Sequence, residues 1–271
     1  MVGALGFAAT AKYSVSRSLL VIPNFRDSSR LAPFLRDLVV TLPAHFSILV
    51  SEDGSGSEEV GRIRALILDV RQEMTGRGQH GPELLEPLLH HPNTGKGGAV
   101  LRGWSQRAGY ELLAFADADG AVSAGEIVRA EKFMRSSLPS IDALFGSRVK
   151  MMGRTIHRKM LRHYSGRIFA TLVSTVAQVP AYDTQCGLKI LTAAAFEKIR
   201  PFTQSVGFAF DVELLLLLLK SGQHVVEFPI DWEDVAGSKV HLLRDSTRMA
   251  REVFRIRRRV QSLKLDAAAG V

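Results

Sequence analysis

A chain of 271 residues, 46% hydrophobic and 23% charged, has room for one large α/β domain or two small ones around a real core. Its formal net charge of +8 favours an anionic partner, whether nucleic acid, anionic lipid or a phosphorylated substrate, without choosing among them. A single cysteine, Cys186, excludes an internal disulfide and a Cys-rich zinc site, suits a reducing compartment such as the cytosol, and reads as a small buried residue.

In chain order, residues 1–17 read as a loose tail. The opening MVGALGFAAT is apolar like a signal peptide, but Lys12 follows the apolar stretch instead of preceding it. SLLVI (18–22) is a buried strand ended by Pro23, 29–40 has helical spacing, and FSILV (46–50) is a second strand that stops at the loop SEDGSGS. Helices are expected over 57–74 and 83–90, then a glycine-rich break at TGKGG and a helix over 99–108. LLAFA (112–116) is a third strand ending at DADGA, followed by a helix over 124–137 and a fourth strand, DALFG (142–146). The six-leucine run 214–219 is far shorter than the roughly 18–20 residues of a spanning helix, and reads as a buried helix ended by Gly222. Strands alternating with helices indicate a mostly parallel sheet covered on both faces, with ligands beyond the carboxyl ends of the strands, here PNFRD, SEDGS and DADGA.

Asp117 and Asp119, one residue apart after LLAFA, repel each other unless a cation neutralises them. A hard divalent ion sharing oxygen ligands with a diphosphate would do so; a solvated Asp-x-Asp turn is the plain alternative. In Asn93-Thr94-Gly95-Lys96-Gly97-Gly98, glycine backbone and a lysine suit phosphate, although the P-loop spacing is absent and an ordinary helix entry reads equally well. Glu52 and Asp53 can accept from a base or ribose, while Ser55 or Ser57 would cap the helix that follows.

IPNFRD, SEDGS, NTGKGGAVLRG, FADADGA, GSR, DTQCGLKI, FAFDVELL and WEDVAGSKV, in this order across about residues 18–245, resemble a family 2 glycosyltransferase. Within that family the match is to the dolichyl-phosphate β-glucosyltransferase and polyprenyl-phosphate mannosyltransferase group. The resemblance implies a GT-A fold, an α/β Rossmann-like sheet, and inversion at the anomeric carbon. It assigns Pro23, Asn24, Asp27, Glu52, Asp53, Lys96, Asp117 and Ala118 to the nucleotide sugar, and Asp117 and Asp119 to Mg²⁺ or Mn²⁺. Asp183 and Asp211 become the catalytic candidates. Asp183 would be general base for a hydroxyl acceptor, or would orient the sugar for an acceptor phosphate that is already anionic; Asp211 equally reads as a helix anchor. Arg148, Arg162, Ser165 and Lys239 fall to the acceptor phosphate. Where the family commonly has two aspartates stand Glu52 and Asp53, and Phe25-Arg26-Asp27 replaces its Tyr-Asn-Glu.

The expected function is transfer of a hexose, glucose before mannose, from a nucleotide diphosphate sugar, UDP before GDP, to a polyprenyl or dolichyl phosphate. The catalytic domain is placed at 18–245 and a basic helix and tail at 246–271. The basic amphipathic stretches 154–178 and 251–264 suit an anionic membrane, a partner subunit or plain solvent, so a cytoplasmic, peripherally membrane-bound protein is expected and a homodimer is left open. A soluble phosphorylated or hydroxyl acceptor is the alternative. DTQCGLK and GSK argue against a nucleotidyltransferase, and the lack of a nucleic-acid-binding motif argues against a DNA or RNA partner.

Overall fold

In the computed structural model, which describes residues 16–76, 81–149, 151–157, 179, 181–233, 235 and 242–264, the apolar run SLLVI becomes β1 (Ser18–Asn24). It pairs in parallel with β2 (Phe46–Asp53) on one side and β5 (Leu112–Ala116) on the other. A strand covered on both faces is buried at nearly every position, so the sequence shows an unbroken apolar run and not alternation. β1 runs past Pro23, where the sequence pattern ends it. Pairing with β5 stops at Val21↔Phe115, so the missing N–H of Pro23 interrupts no ladder there.

The full sheet has the order β3-β2-β1-β5-β8-β6-β9, with β3 (Glu83–Leu84), β6 (Ala143–Ser147), β8 (Leu188–Thr192) and β9 (Val225–Pro229); β4 (Leu88–His90) pairs with β2 beyond β3. Among the described strands of this sheet, only β8 is antiparallel to its neighbours. A separate parallel pair joins β7 (Ile156–His157) to β10 (Trp232–Glu233). The helix expected over 83–90 is instead the strands β3 and β4. Pro82, Pro87 and Pro92 break it up, and its backbone groups complete the exposed edge of β2, extending that strand through Glu52 and Asp53.

Side chains alternate between two apolar layers. Leu20, Ile22, Ile48 and Val50 face α1 (Ser28–Thr41), α2 (Ser57–Gly76) and α4 (Ala124–Ser136). Leu19, Val21, Leu113 and Phe115 face α3 (Lys96–Trp104), α5 (Ala193–Ile199) and α6 (Phe210–Lys220). The leucine run lies in α6, with Gly222 just beyond it at φ 72°. The last helix, α7 (Leu242–Ser262), buries Val253, Ile256 and Val260 in the second layer and clamps onto α6 through a short Arg259–Glu213 ion pair. Arg251, Phe254, Arg255 and Arg258 stay on its exposed side.

β4 is pinned by a polar chain: Arg102 Nη1 lies 3.1 Å from His90 Nδ1, His90 Nε2 lies 2.7 Å from Ser51 Oγ, and Ser51 Oγ donates to the Ala99 carbonyl at 2.8 Å. Arg102 can only donate, so this arrangement requires neutral His90 with its proton on Nε2. Burial, and then the Arg102 charge, hold the imidazole below its ordinary 6.5. The folded state therefore resists a proton that the unfolded chain takes up below pH 6.5, and stability falls as the pH drops from there. Thermal melts at pH 5 and pH 8 should show a smaller acid-side loss for His90→Gln than for the wild type; an equal loss in both would remove His90 from that dependence.

Candidate functional site

Parallel pairing brings the carboxyl ends of β1, β2 and β5 together, and the polar loops gather there. The Asp53 carboxylate accepts from Thr94 N and Oγ1 (both 2.8 Å), Asn93 Nδ2 (2.9 Å) and Gly95 N (2.7 Å). With its lone pairs committed, Asp53 serves as the template of the 93–95 turn. Gly95 leaves that turn at φ +88°, and a Cβ there would stand 2.5 Å from the Val206 carbonyl oxygen, so only glycine fits. α3 then opens at Lys96, earlier than its apolar pattern suggests, because the glycines occupy its first turn. Glu52, fully buried, accepts from Gly54 N (3.1 Å) and Ser55 N (2.7 Å), and Asp27 holds Arg30 in a fork at 2.8 and 2.5 Å. Glu52, Asp53 and Asp27 thus shape the loops from within the protein. Pro23 and Ala118 line the same strand ends, and buried Asn24 presents both amide atoms without a protein partner.

The charged centre lies one step further in. Gly187 carbonyl accepts from Asp117 N at 3.0 Å, and Asp117 Oδ1 lies 2.7 Å from Lys96 Nζ. Burial would raise the Asp117 pKa, but the Lys96 ammonium, helped by Lys189 and Arg148, holds it below the usual range. Burial likewise opposes charge on Lys96, yet Asp117 and Asp211 push it up to about 12. Asp119 goes the other way, raised by burial and by the Asp117 charge, with Arg30 3.6 Å away. Behind them Lys189 Nζ, fully buried, sits 3.0 Å from Asp211 Oδ1 and donates to the Thr184 carbonyl at 2.9 Å. Asp211 is therefore buried beneath the centre, 3.9 Å from Lys96.

Two residues given separate roles by the sequence meet each other. Arg148 Nε and Nη2 donate to Asp183 Oδ2 and Oδ1 at 2.6 and 2.8 Å, and Arg148 N adds a third bond at 3.0 Å. Burial opposes charge on Asp183, but the guanidinium outweighs it and holds the carboxyl down to about 2. Arg162, Ser165 and Lys239 lie outside the described residues, as does most of the basic stretch 154–178.

Among the described residues no group of three or more His, Cys, Asp or Glu side chains is placed to hold a metal ion. Asp117 and Asp119 fit a Mg²⁺ or Mn²⁺ of the kind that takes one or two carboxylates and completes its shell with substrate phosphate and water. Burial, and then the Asp117 charge, disfavour the ionised form of Asp119, and a cation bound beside it would favour that form.

The residues of the centre that the sequence reading passed over are Lys189, Gly187 and Arg30. Lys189 had a visible signal: one charged residue inside the strand-like LKILT.

No family model matches the chain. It is similar to the dolichyl-phosphate β-glucosyltransferase of Saccharomyces cerevisiae, 31% identical over 88% of this chain and 73% of the yeast protein. That of Dictyostelium discoideum is 28% identical over 88% and 73% of the two chains, and that of Homo sapiens 25% over 89% and 74%. A solved structure of glucosyl-3-phosphoglycerate synthase from Mycobacterium tuberculosis, in complex with Mn²⁺, UDP and glucosyl-3-phosphoglycerate, superposes with a TM-score of 0.60 over 92% of this chain and 82% of that one, at 11% identity, a likeness of fold. The GT-A architecture is thereby shown, and by its sequence the chain belongs to the dolichyl-phosphate β-glucosyltransferase family.

Proposed function

We propose that this protein transfers glucose from UDP-glucose to a dolichyl or related polyprenyl phosphate, with inversion at the anomeric carbon. The observation that carries this is its kinship, over nearly the whole chain, to enzymes named for that reaction. The donor's diphosphate would lie between the Lys96 turn and Asp117, where the Lys96 ammonium can leave the carboxylate for phosphate oxygens. Asp117 and Asp119 would hold Mg²⁺ or Mn²⁺, which when bound offsets charge on the departing diphosphate. Asn24, with its amide unpartnered in a buried site, is the best placed of the strand-end residues to accept and donate to the nucleoside.

In this reaction an acceptor phosphate oxygen attacks the anomeric carbon as the carbon–oxygen bond to UDP breaks. Asp183, held to about 2 and engaged by Arg148, is a carboxylate too weakly basic to serve as general base. It has no proton to take, since a phosphate monoester is already a dianion above its second pKa of about 6. Asp183 instead fixes Arg148, which would contact the acceptor phosphate. The exposed arginines of α7 support a peripheral seat on an anionic bilayer, and no helix among the described residues is long and apolar enough to cross one.

The test is transfer by the purified chain, with Mg²⁺ or Mn²⁺, from labelled UDP-glucose and GDP-mannose in parallel to polyprenyl phosphate in detergent. Label should enter the organic phase from UDP-glucose, and Asp117→Asn should abolish it in a protein that still folds. Transfer only to a soluble phosphate such as 3-phosphoglycerate would overturn the lipid acceptor, and full activity of Asp117→Asn would overturn the metal assignment.

A further inference from the structure

The loop 203–209, between the turn at Arg200–Phe202 and α6, is fastened on both sides of the charged centre. Gly98 N donates to the Val206 carbonyl at 3.0 Å, tying it to the Lys96 turn, and Gln185 Nε2 donates to the Phe208 carbonyl at 3.0 Å, tying it to the 183–187 segment. From below, Glu213 Oε2 accepts from Gln204 N and Ser205 N at 3.0 and 2.8 Å. These bonds use the loop's backbone and leave its side chains pointing outward. Val206 is 49% exposed and Phe208 57%, while Tyr182, next to Asp183, is 80% exposed. A single exposed apolar side chain is ordinary, but here three large ones stand on the two segments that flank the cluster of Lys96, Arg148, Asp117 and Asp183. The backbone anchors hold Val206 and Phe208 out in water and prevent them from folding into the core.

Resting on the acceptor class proposed above, we propose that Val206, Phe208 and Tyr182 are a subsite for the isoprenoid tail, packing the first isoprene units after the acceptor phosphate. The complementarity is that of the molecule itself. An anionic head is met by the donors of Lys96 and Arg148, and the hydrocarbon bonded to that head must leave across whatever borders it. Here that border is apolar and preorganised, so little ordering cost accompanies binding. A purely polar acceptor would leave these side chains with nothing to cover them.

The experiment compares wild type with Val206→Ser/Phe208→Ser, using a water-soluble ten-carbon isoprenyl phosphate as acceptor so that no bilayer is involved. Both side chains are exposed, so the variant should fold, which an unchanged Tm would verify. Its KM for the isoprenyl phosphate should rise by about 10–100-fold, the loss expected when two partly buried apolar contacts are removed, while its KM for UDP-glucose stays as in wild type. An unchanged acceptor KM would overturn the subsite. So would a defect seen only in sedimentation with anionic vesicles lacking acceptor, which would make the rim a membrane-docking face, or a change only in oligomeric state, which would make it a contact between copies. A wild type that glucosylates no isoprenyl phosphate at all would overturn the acceptor class itself, a failure distinct from an active wild type matched by its variant.

Discussion

Gly187→Ala is expected to lower glucosyl transfer by about 100-fold while the protein stays folded. A Cβ at position 187 would lie 2.3 Å from Asp117 Oδ2, 2.6 Å from its Cγ and 3.1 Å from its Cβ. The conflict reaches the root of the Asp117 side chain, so turning the carboxylate alone cannot relieve it. The backbones cannot simply part either, because Asp117 N is bonded to the Gly187 carbonyl at 3.0 Å and the adjoining residues are paired strand to strand as Ala116↔Leu188. The carboxylate must therefore leave its place beside Lys96 Nζ by a distance on the order of 1 Å, enough to cost that factor in a preorganised site. Gly61→Ala is the control: it sits inside α2 with open space around it, and should leave activity intact and Tm equal or slightly higher. The measurements are the initial rate of transfer and the thermal midpoint of both variants. Wild-type activity in Gly187→Ala would mean that Asp117 is not held where the chemistry needs it.

The sequence makes the roles of Asp117 and Lys96 visible and leaves those of Gly187 and Lys189 hidden, for a physical reason. Asp117 and Lys96 stand in loops directly after or before periodic segments, where a local pattern reports what the chain is doing: apolar strand, then acids; glycines, then helix. The parallel sheet itself is legible in the same way, from SLLVI, FSILV and LLAFA with helical stretches between them. Gly187 and Lys189 draw their meaning from β8 inserting antiparallel between β5 and β6, a pairing across some 70 residues of chain that no local period encodes. The strands β3 and β4 escaped for a related reason. Their five residues are too short for a period, and they exist because the edge of β2 requires partners. Asp53 and Asp183 are easily noticed as acids, but only the coordinates reveal that their oxygens are already engaged, one by the turn 93–95 and the other by Arg148. An acidic residue in a motif tells of charge at a place, and not of which group that charge serves.

Lys189→Met should be the most destabilising single change at the centre, at about 3–5 kcal/mol, the usual range for breaking a buried ion pair from one side, or a fall in Tm of roughly 6–20 °C for a chain of this size. Lys189 is fully buried on β8, its Nζ 5.6 and 5.2 Å from the ring centroids of Phe115 and Phe145. Desolvating an ammonium there is unfavourable, and is offset by Asp211 Oδ1 at 3.0 Å and by the carbonyls of Thr184 (2.9 Å) and Cys186. Methionine fills nearly the same volume but removes the charge. Asp211, itself only 2% exposed, is left with Lys96 at 3.9 Å as the remaining cation close to it, and two buried carbonyls lose their donor. Removing the stranded charge as well, in Lys189→Met/Asp211→Asn, should recover a large part of the lost stability, a coupling that a double-mutant cycle reads directly. Transfer should not recover with it, because Asp211 is one of the two carboxylates that keep Lys96 charged and aimed at Asp117. Stability regained with activity still low would make Lys189 and Asp211 the support on which Lys96 is positioned. A double variant no more stable than Lys189→Met would instead assign the cost to the carbonyls at 184 and 186, making Lys189 a staple of the Asp183–Gly187 segment.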